Sequence, residues 1–204
     1  ICAQIMRDKI LEISKELFLN IGFKNVTMDE IANGLGVSKK TIYKYFRNKT
    51  ELVLAVTEQM FSAICTGIDM ICDLEKNPIE EIFDIKRFVM ANLNDEKSSP
   101  QYQLQKYYPK IFSTLRNKQF GVMQSCVVNN LNNGISKGLY RDDIDVEFVS
   151  RIYFHGMVGI KDKELFPLND YSMNTLMNYY LEYHLRGICT EKGILQLKNQ
   201  LKLN

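Results

Sequence analysis

Apolar positions recur every three and four residues along nearly the whole chain, and the turn signals that would bound short strands are missing, so the pattern predicts an all-α protein. Ile10, Ile13, Leu17, Phe18 and Ile21 make one stripe, and Gly22 follows where a helix C-terminal glycine belongs, which predicts a first helix over about residues 4–21. Thr27 with Glu30 three residues later has the capping-box spacing, in which each side chain satisfies a free backbone donor of the other. A second helix starts there, carries Ile31, Ala32 and Leu35 inward and stops at Gly36, whose missing Cβ permits a left-handed turn. Ser38 caps a third helix to about Tyr45. Asn48 with Glu51 repeats the pattern and opens a long fourth helix through Leu52, Val56, Met60, Ile64, Ile68 and Ile71.

Asn77-Pro78 starts a helix to about Leu93, with proline in the first turn. Ser98-Ser99-Pro100 marks a loop and a helix start, and Pro109 should break or kink the helix that begins there. A long helix is expected over about 117–137, closing at Gly138; Asp145 caps one reaching about Ile160, and 171–186 is the last strong one. From Thr190 leucines and lysines alternate without clear caps, so the tail is either frayed or a short extra helix.

With 204 residues, 46% apolar and 25% charged, the chain has an ordinary globular composition and is long enough for one large domain or a small one joined to a larger. Its net charge of +2 is unevenly held: residues 1–55 carry nine Lys or Arg against six acids, which leaves the remainder at −1. The stretch from Gly36 to Lys49 packs five positive charges into fourteen residues without an acid. Two short helices, 27–35 and 38–45, joined by a tight glycine turn, have the dimensions of a helix-turn-helix. If Val37, Ile42 and Phe46 pack inward, Lys39, Lys40, Tyr43 and Lys44 gather on the outer face, although Tyr43 has the alternative of lying half buried against the first helix. Lys40 and Lys44 are four apart, where like charges repel in an isolated helix. Stability does not ask for this arrangement, whereas an anionic partner does. Lys49 falls in a first helical turn, where the dipole disfavours a cation, yet an ammonium beside free backbone N–H groups suits a phosphate.

The run Thr27-Met28-Asp29-Glu30-Ile31-Ala32-Asn33-Gly34-Leu35-Gly36-Val37-Ser38-Lys39-Lys40-Thr41-Ile42-Tyr43-Lys44-Tyr45-Phe46, followed by Asn48-Lys49 and Leu52, resembles the N-terminal signature of the TetR family of bacterial transcriptional regulators. The resemblance covers about residues 10–55. It implies a three-helix DNA-binding domain with a helix-turn-helix over 1–48, followed by a larger helical effector-binding and dimerisation domain over 49–204. It also implies that Ser38, Lys39 and Lys40 open a recognition helix whose N-terminal end meets base edges, with Thr41 and Lys44 in the same DNA-facing set. Tyr43, Tyr45, Lys49 and the capping Thr27 would touch phosphate. The expected partners are double-stranded DNA with a near-palindromic operator, a second copy of the chain, and a small, largely apolar effector that releases a repressor; no cofactor is implied and the setting is cytoplasmic. Asn33-Gly34-Leu35 departs from the family pattern, which favours alanine before the turn glycine, and Gly34 inside a helix costs about 1 kcal/mol relative to alanine.

Apolar residues wrap most of the way around two later segments, Val146 to Ile160 and Leu176 to Ile188, so each needs cover on more than one side. A twofold four-helix interface meets that need, with Ile152, Gly156, Met157 and Ile160 on one helix and Met177, Tyr180, Leu181 and His184 on the other. Gly156 allows close approach there or is an ordinary packing glycine. Phe88, Tyr102, Tyr107, Tyr108, Phe112, Met123, Cys126 and Phe154 either line an apolar effector cavity with a few hydroxyls or fill an aromatic core.

Five cysteines, at 2, 65, 72, 126 and 189, are an odd number without C-x-x-C spacing, which fits a reduced compartment. Cys65 and Cys72 share a helix face and read as small core residues. His155 and His184 lack partners at metal-ligand spacing, so no metal is expected. No nucleophile elbow, phosphate-binding glycine loop or metal cluster supports an enzyme built on the aromatic cavity. That reading, and a regulator answering to a protein partner or to no ligand, stand as the alternatives. Neither a membrane span nor a signal peptide is expected.

Overall fold

The computed structural model describes residues 2–93, 100–167 and 169–202, and the loop expected at Ser98-Ser99 lies outside them. Among the described residues ten helices follow one another: α1 (Cys2–Ile21), α2 (Met28–Leu35), α3 (Lys39–Tyr43), α4 (Lys49–Cys72), α5 (Pro78–Asn92), α6 (Pro100–Tyr107), α7 (Pro109–Ser136), α8 (Val146–Gly159), α9 (Met173–Ile188) and α10 (Glu191–Leu201). Among the described residues there is no strand, and a lone antiparallel bridge pairs Tyr140 with Cys189.

The helix ends obey local chemistry. Thr27 forms the full capping box with Glu30, Ser38 accepts from the Thr41 N–H, and Asp145 accepts from the Phe148 N–H. Gly36, at φ 65°, takes the left-handed conformation that ends α2 and turns the chain into α3. At the start of α4 the arrangement is looser than a capping box: Asn48 accepts from the Glu51 N–H, while the Glu51 carboxylate reaches one residue further back, to the Arg47 N–H.

As expected, Pro109 separates two helices: α6 ends at Tyr107 and Pro109 is the first residue of the 28-residue α7, which corrects the expected start at about 117. Proline suits that position because its missing N–H has no intrahelical acceptor there. Of the two alternatives for the tail, the short extra helix holds: Thr190 accepts from the Gly193 N–H and opens α10, whose Leu197 is fully buried. Finally, α4 is by length and composition apolar enough to cross a membrane. Its Leu52, Val53 and Val56 are wholly buried in a helical core.

The chain divides into two compact units, residues 1–64 with 93–116 and residues 65–92 with 117–204. The first is larger than the expected head of 1–48, because Leu104 of α6 and Ile111 of α7 join Phe18, Val26, Ile31, Ile42 and Leu52 in one core. In the second, Ile79 and Phe83 of α5 pack with Leu131, Tyr153, Leu181, Leu185 and Leu197, and a further cluster gathers Met90, Ile160, Met173 and Met177. Asn130 ties this core together: its amide donates to the Pro78 carbonyl at 2.9 Å and to Glu81 at 2.7 Å, while its oxygen accepts from the Tyr140 hydroxyl at 3.1 Å.

Candidate nucleic-acid interface

In the first unit Ile42 and Phe46 are buried while Lys40, Tyr43 and Lys44 are exposed, so α3 turns one face to the core and a cationic, phenolic face outward. Tyr43 is 44% exposed. The family's alanine position also has a local explanation: a β-carbon on Gly34 would stand 3.3 Å from Ile13 Cγ2, so α1 packs close to α2 there.

Not all the expected contacts are equally available. The Lys39 ammonium holds the Asp29 carboxylate at 2.8 Å, and this bond is the main cause that raises its pKa. Both partners are exposed, so the pair adds little stability and can be exchanged for another anion. Ser38 and Thr41 share a hydroxyl hydrogen bond at 3.0 Å. Thr27 is a correction to the set of phosphate contacts: its hydroxyl donates to Glu30 at 3.0 Å and its N–H at 2.6 Å, so both donors are engaged and a carboxylate stands beside them. Tyr45 packs half buried against the core. Lys49 donates to the Lys24 carbonyl at 3.0 Å, and partial burial lowers its pKa against the opposing pull of Glu30. An ammonium has three donors, so this bond fixes its position while others remain for an oxyanion.

The fold adds a cation that the sequence reading missed. Lys24 lies in the turn between α1 and α2, where its N–H donates to Gln103 of α6 at 3.0 Å and its ammonium stands 5.1 Å from the Tyr107 ring centroid. Lys106 stands 5.8 Å from the same ring. No local signal joins them, since Lys24 and Gln103 are 79 residues apart.

The eight residues expected at an effector cavity divide between the units. Tyr108 and Phe112 pack against the first unit's core, and Tyr102 and Tyr107 carry lysine ammoniums over their rings, with Tyr107 38% exposed. In the second unit Phe154 is buried edge-on against Phe120 at 5.1 Å, Met123 packs on the core, Cys126 faces Cys72, and Phe88 lies where a side chain on Gly67 would stand. An open cleft of about 440 Å³ in that unit is lined instead by Ile135, Gly138, Tyr140, Arg141, Asp142, Asp143 and Thr190.

The expected interface is corrected in part. Met177 and Leu181 are covered by their own subunit, and Ile160 and His184 are nearly so, hence they face the core. Tyr180 lies over Gly156 and donates to the Tyr153 carbonyl at 2.9 Å, which makes both part of the α8–α9 packing within the chain. Met157 also packs on this core, half buried. Of the eight, Ile152 is on the surface, and so are large residues outside that set: Phe148 on α8, and Tyr179 and Tyr183 on α9. His184 sits 5.0 Å from the Tyr153 ring and 6.1 Å from Tyr180, and burial brings its pKa down to about 4. Among the described residues no group of three or more His, Cys, Asp or Glu is placed to hold a metal.

A capped helix, a left-handed glycine turn and a short helix with an exposed cationic face, set on an all-helical body, define a helix-turn-helix DNA-binding regulator. Residues 10–56 match the family described as bacterial regulatory proteins, tetR family. It is 24% identical over 195 residues to the HTH-type transcriptional repressor KstR2 of Mycolicibacterium smegmatis, covering 92% of each chain. A TetR-family transcriptional regulator from Agrobacterium tumefaciens shares the fold at a TM-score of 0.72 and 16% identity, over 92% of this chain and 99% of that one. The regulatory protein TetR from Rhodobacter sphaeroides does so at 0.71 and 18%, over 89% and 97%.

Proposed function

We propose that this protein is a cytoplasmic homodimeric TetR-family repressor that reads a near-palindromic operator and is released by a small, largely apolar effector. The observation that carries the DNA-reading part is the exposure of Lys40, Tyr43 and Lys44 on one face of α3 above a buried Ile42. Lys40 is assigned to a base edge in the major groove, where a lysine can donate to guanine O6 or N7. Ser38, Lys39 and Thr41 lie beside it; Tyr43, Lys44 and Lys49 are assigned to phosphate, with Lys24 extending the track and Tyr45 and Thr27 supporting it from behind.

Dimerisation is assigned to the outer face of α8 and α9, because Phe148, Ile152, Tyr179 and Tyr183 are 47% to 79% exposed among the described residues. The repressor reading follows the name of the KstR2 relatives, and the apolar effector follows the aromatic residues of the second unit. Effector and operator then favour different dimer geometries, and their coupling is reciprocal at about 1–3 kcal/mol. Selection of bound sequences from a random duplex library tests the proposal. Enriched sequences should have two inverted half-sites; enrichment of a single unrepeated site speaks against the dimer, and no enrichment speaks against the repressor.

A further inference from the structure

Cys72 is the last residue of α4, Cys126 lies in the second half of α7, and their sulfur atoms stand 3.8 Å apart. A disulfide needs about 2.05 Å. The remaining approach falls within what thiol rotation and a small shift of a helix end supply, and α4 ends in a place that can give: Leu74 just beyond it is 61% exposed and Glu75 takes φ 49°. Both thiols are partly buried, Cys126 the more so, whereas Cys189 is packed in the core.

The charges around the pair are one-sided. Glu81 of α5 and Asp69 of α4 face both sulfurs, Asp73 faces Cys72, and Tyr153 of α8 is the further titratable group beside Cys126. Burial first, then Glu81 for Cys72 and the neighbouring Cys72 ahead of the carboxylates for Cys126, push both thiols up, so thiolate is scarce at neutral pH and reaction is slow. A disulfide carries no charge and escapes that penalty once formed.

We propose that Cys72 and Cys126 are a redox modification site, closed to an intramolecular disulfide by a low-molecular-weight disulfide and stapling the end of α4 to α7. Cys72 loses its proton and attacks one sulfur of the small disulfide, whose S–S bond breaks to release one small thiol. Cys126 then loses its proton and attacks the Cys72 sulfur of this mixed disulfide, releasing the second small thiol. The protein gives up two electrons and two protons, and the oxidant takes them as two thiols. Because α4 begins at Lys49 in the first unit and ends at Cys72 in the second, the staple constrains the helix that opens the DNA-facing surface. This regulatory consequence rests on the function proposed above.

The full chain, treated with hydroxyethyl disulfide at about pH 8.5 and digested without reductant, should yield a peptide cross-linked through Cys72 and Cys126, formed about tenfold or more slowly at about pH 6.5. Cys126→Ser should stop at the mixed disulfide on Cys72, and Cys65→Ser should leave the cross-link intact. Two free thiols after treatment, or a persistent mixed disulfide on Cys72 in the parent, overturn the proposal. Oxidised parent should differ from reduced parent in DNA affinity by about fivefold or more, with Cys72→Ser unaffected by the same treatment; a cross-link that leaves affinity unchanged overturns the regulatory half. A reduced parent that binds no DNA counts instead against the DNA-binding function, and the peptide map still decides the disulfide.

Discussion

Tyr180 lies so close over Gly156 that a β-carbon on the glycine would stand 2.3 Å from the tyrosine ring and its hydroxyl oxygen. The same hydroxyl donates to the Tyr153 carbonyl at 2.9 Å and to that of Ile152 at 3.2 Å, so one side chain sets the spacing of α8 and α9.

Gly156→Ala should therefore destabilise the protein by about 1–3 kcal/mol, the usual cost of forcing an extra methyl into a packed site. Tyr180→Phe should cost about 1 kcal/mol, for the lost hydrogen bonds alone. Denaturant unfolding of both variants checks the ordering; equal effects would mean that the ring does not occupy this position.

Tyr179→Glu or Tyr183→Glu should give folded monomers, since both rings are on the surface at 62% and 79% exposure. Leu181→Glu should instead unfold the chain, because that residue is 0% exposed and a buried unpaired carboxylate is costly. Sedimentation velocity combined with circular dichroism separates the two outcomes. A monomeric parent at micromolar concentration would remove the interface argument altogether.

How far the sequence reaches is clear from these same helices. Caps made by neighbours in sequence were legible: Thr27 with Glu30, Ser38 with Thr41, and Asp145 with the Phe148 N–H all stand where their spacing put them. So was the outward face of α3, because the inward partners Ile42 and Phe46 alternate with it at helical spacing. The apolar excess of α8 and α9 was legible too, but not its phase. Which side of α9 is covered depends on contacts with α5, α8 and α10, so Met177 and Leu181 went inward and left Tyr179 and Tyr183 outside. Thr190 caps α10 through the Gly193 N–H, three residues on, but what fixes its place is the pair of carbonyls of Gly138 and Leu139, 52 and 51 residues away, which no local window contains. The Cys72–Cys126 and Lys24–Gln103 contacts lie beyond reach in the same way.

Acid should weaken the fold through His184. Its pKa is lowered from 6.5 to about 4 by burial, so below pH 6.5 the unfolded chain takes up a proton that the folded chain refuses until about pH 4. The stability this group contributes is present above pH 6.5 and is lost as pH falls toward 4, by at most about 3 kcal/mol. Burial pushes the Glu81 carboxyl the other way, up, so its contribution is lost as pH rises and opposes the trend in the acid range. The comparison is therefore made between the parent and His184→Gln: their stability difference should change between about pH 7 and pH 4.5, and a constant difference would contradict the buried neutral imidazole.

The most direct measurement is the affinity of the parent, Lys40→Ala and Lys49→Ala for a selected operator and for a random duplex, taken across a salt series. Lys49→Ala should weaken both complexes in equal proportion and lower the salt slope by about one phosphate contact per subunit. Lys40→Ala should weaken the operator complex about tenfold or more beyond its effect on random DNA and relax preference at one base position in each half-site, as the loss of about 1–3 kcal/mol of base discrimination requires. Equal losses from Lys40→Ala on both duplexes would contradict its base-reading role, and no loss from either substitution would mean that the cationic face of α3 meets something other than DNA.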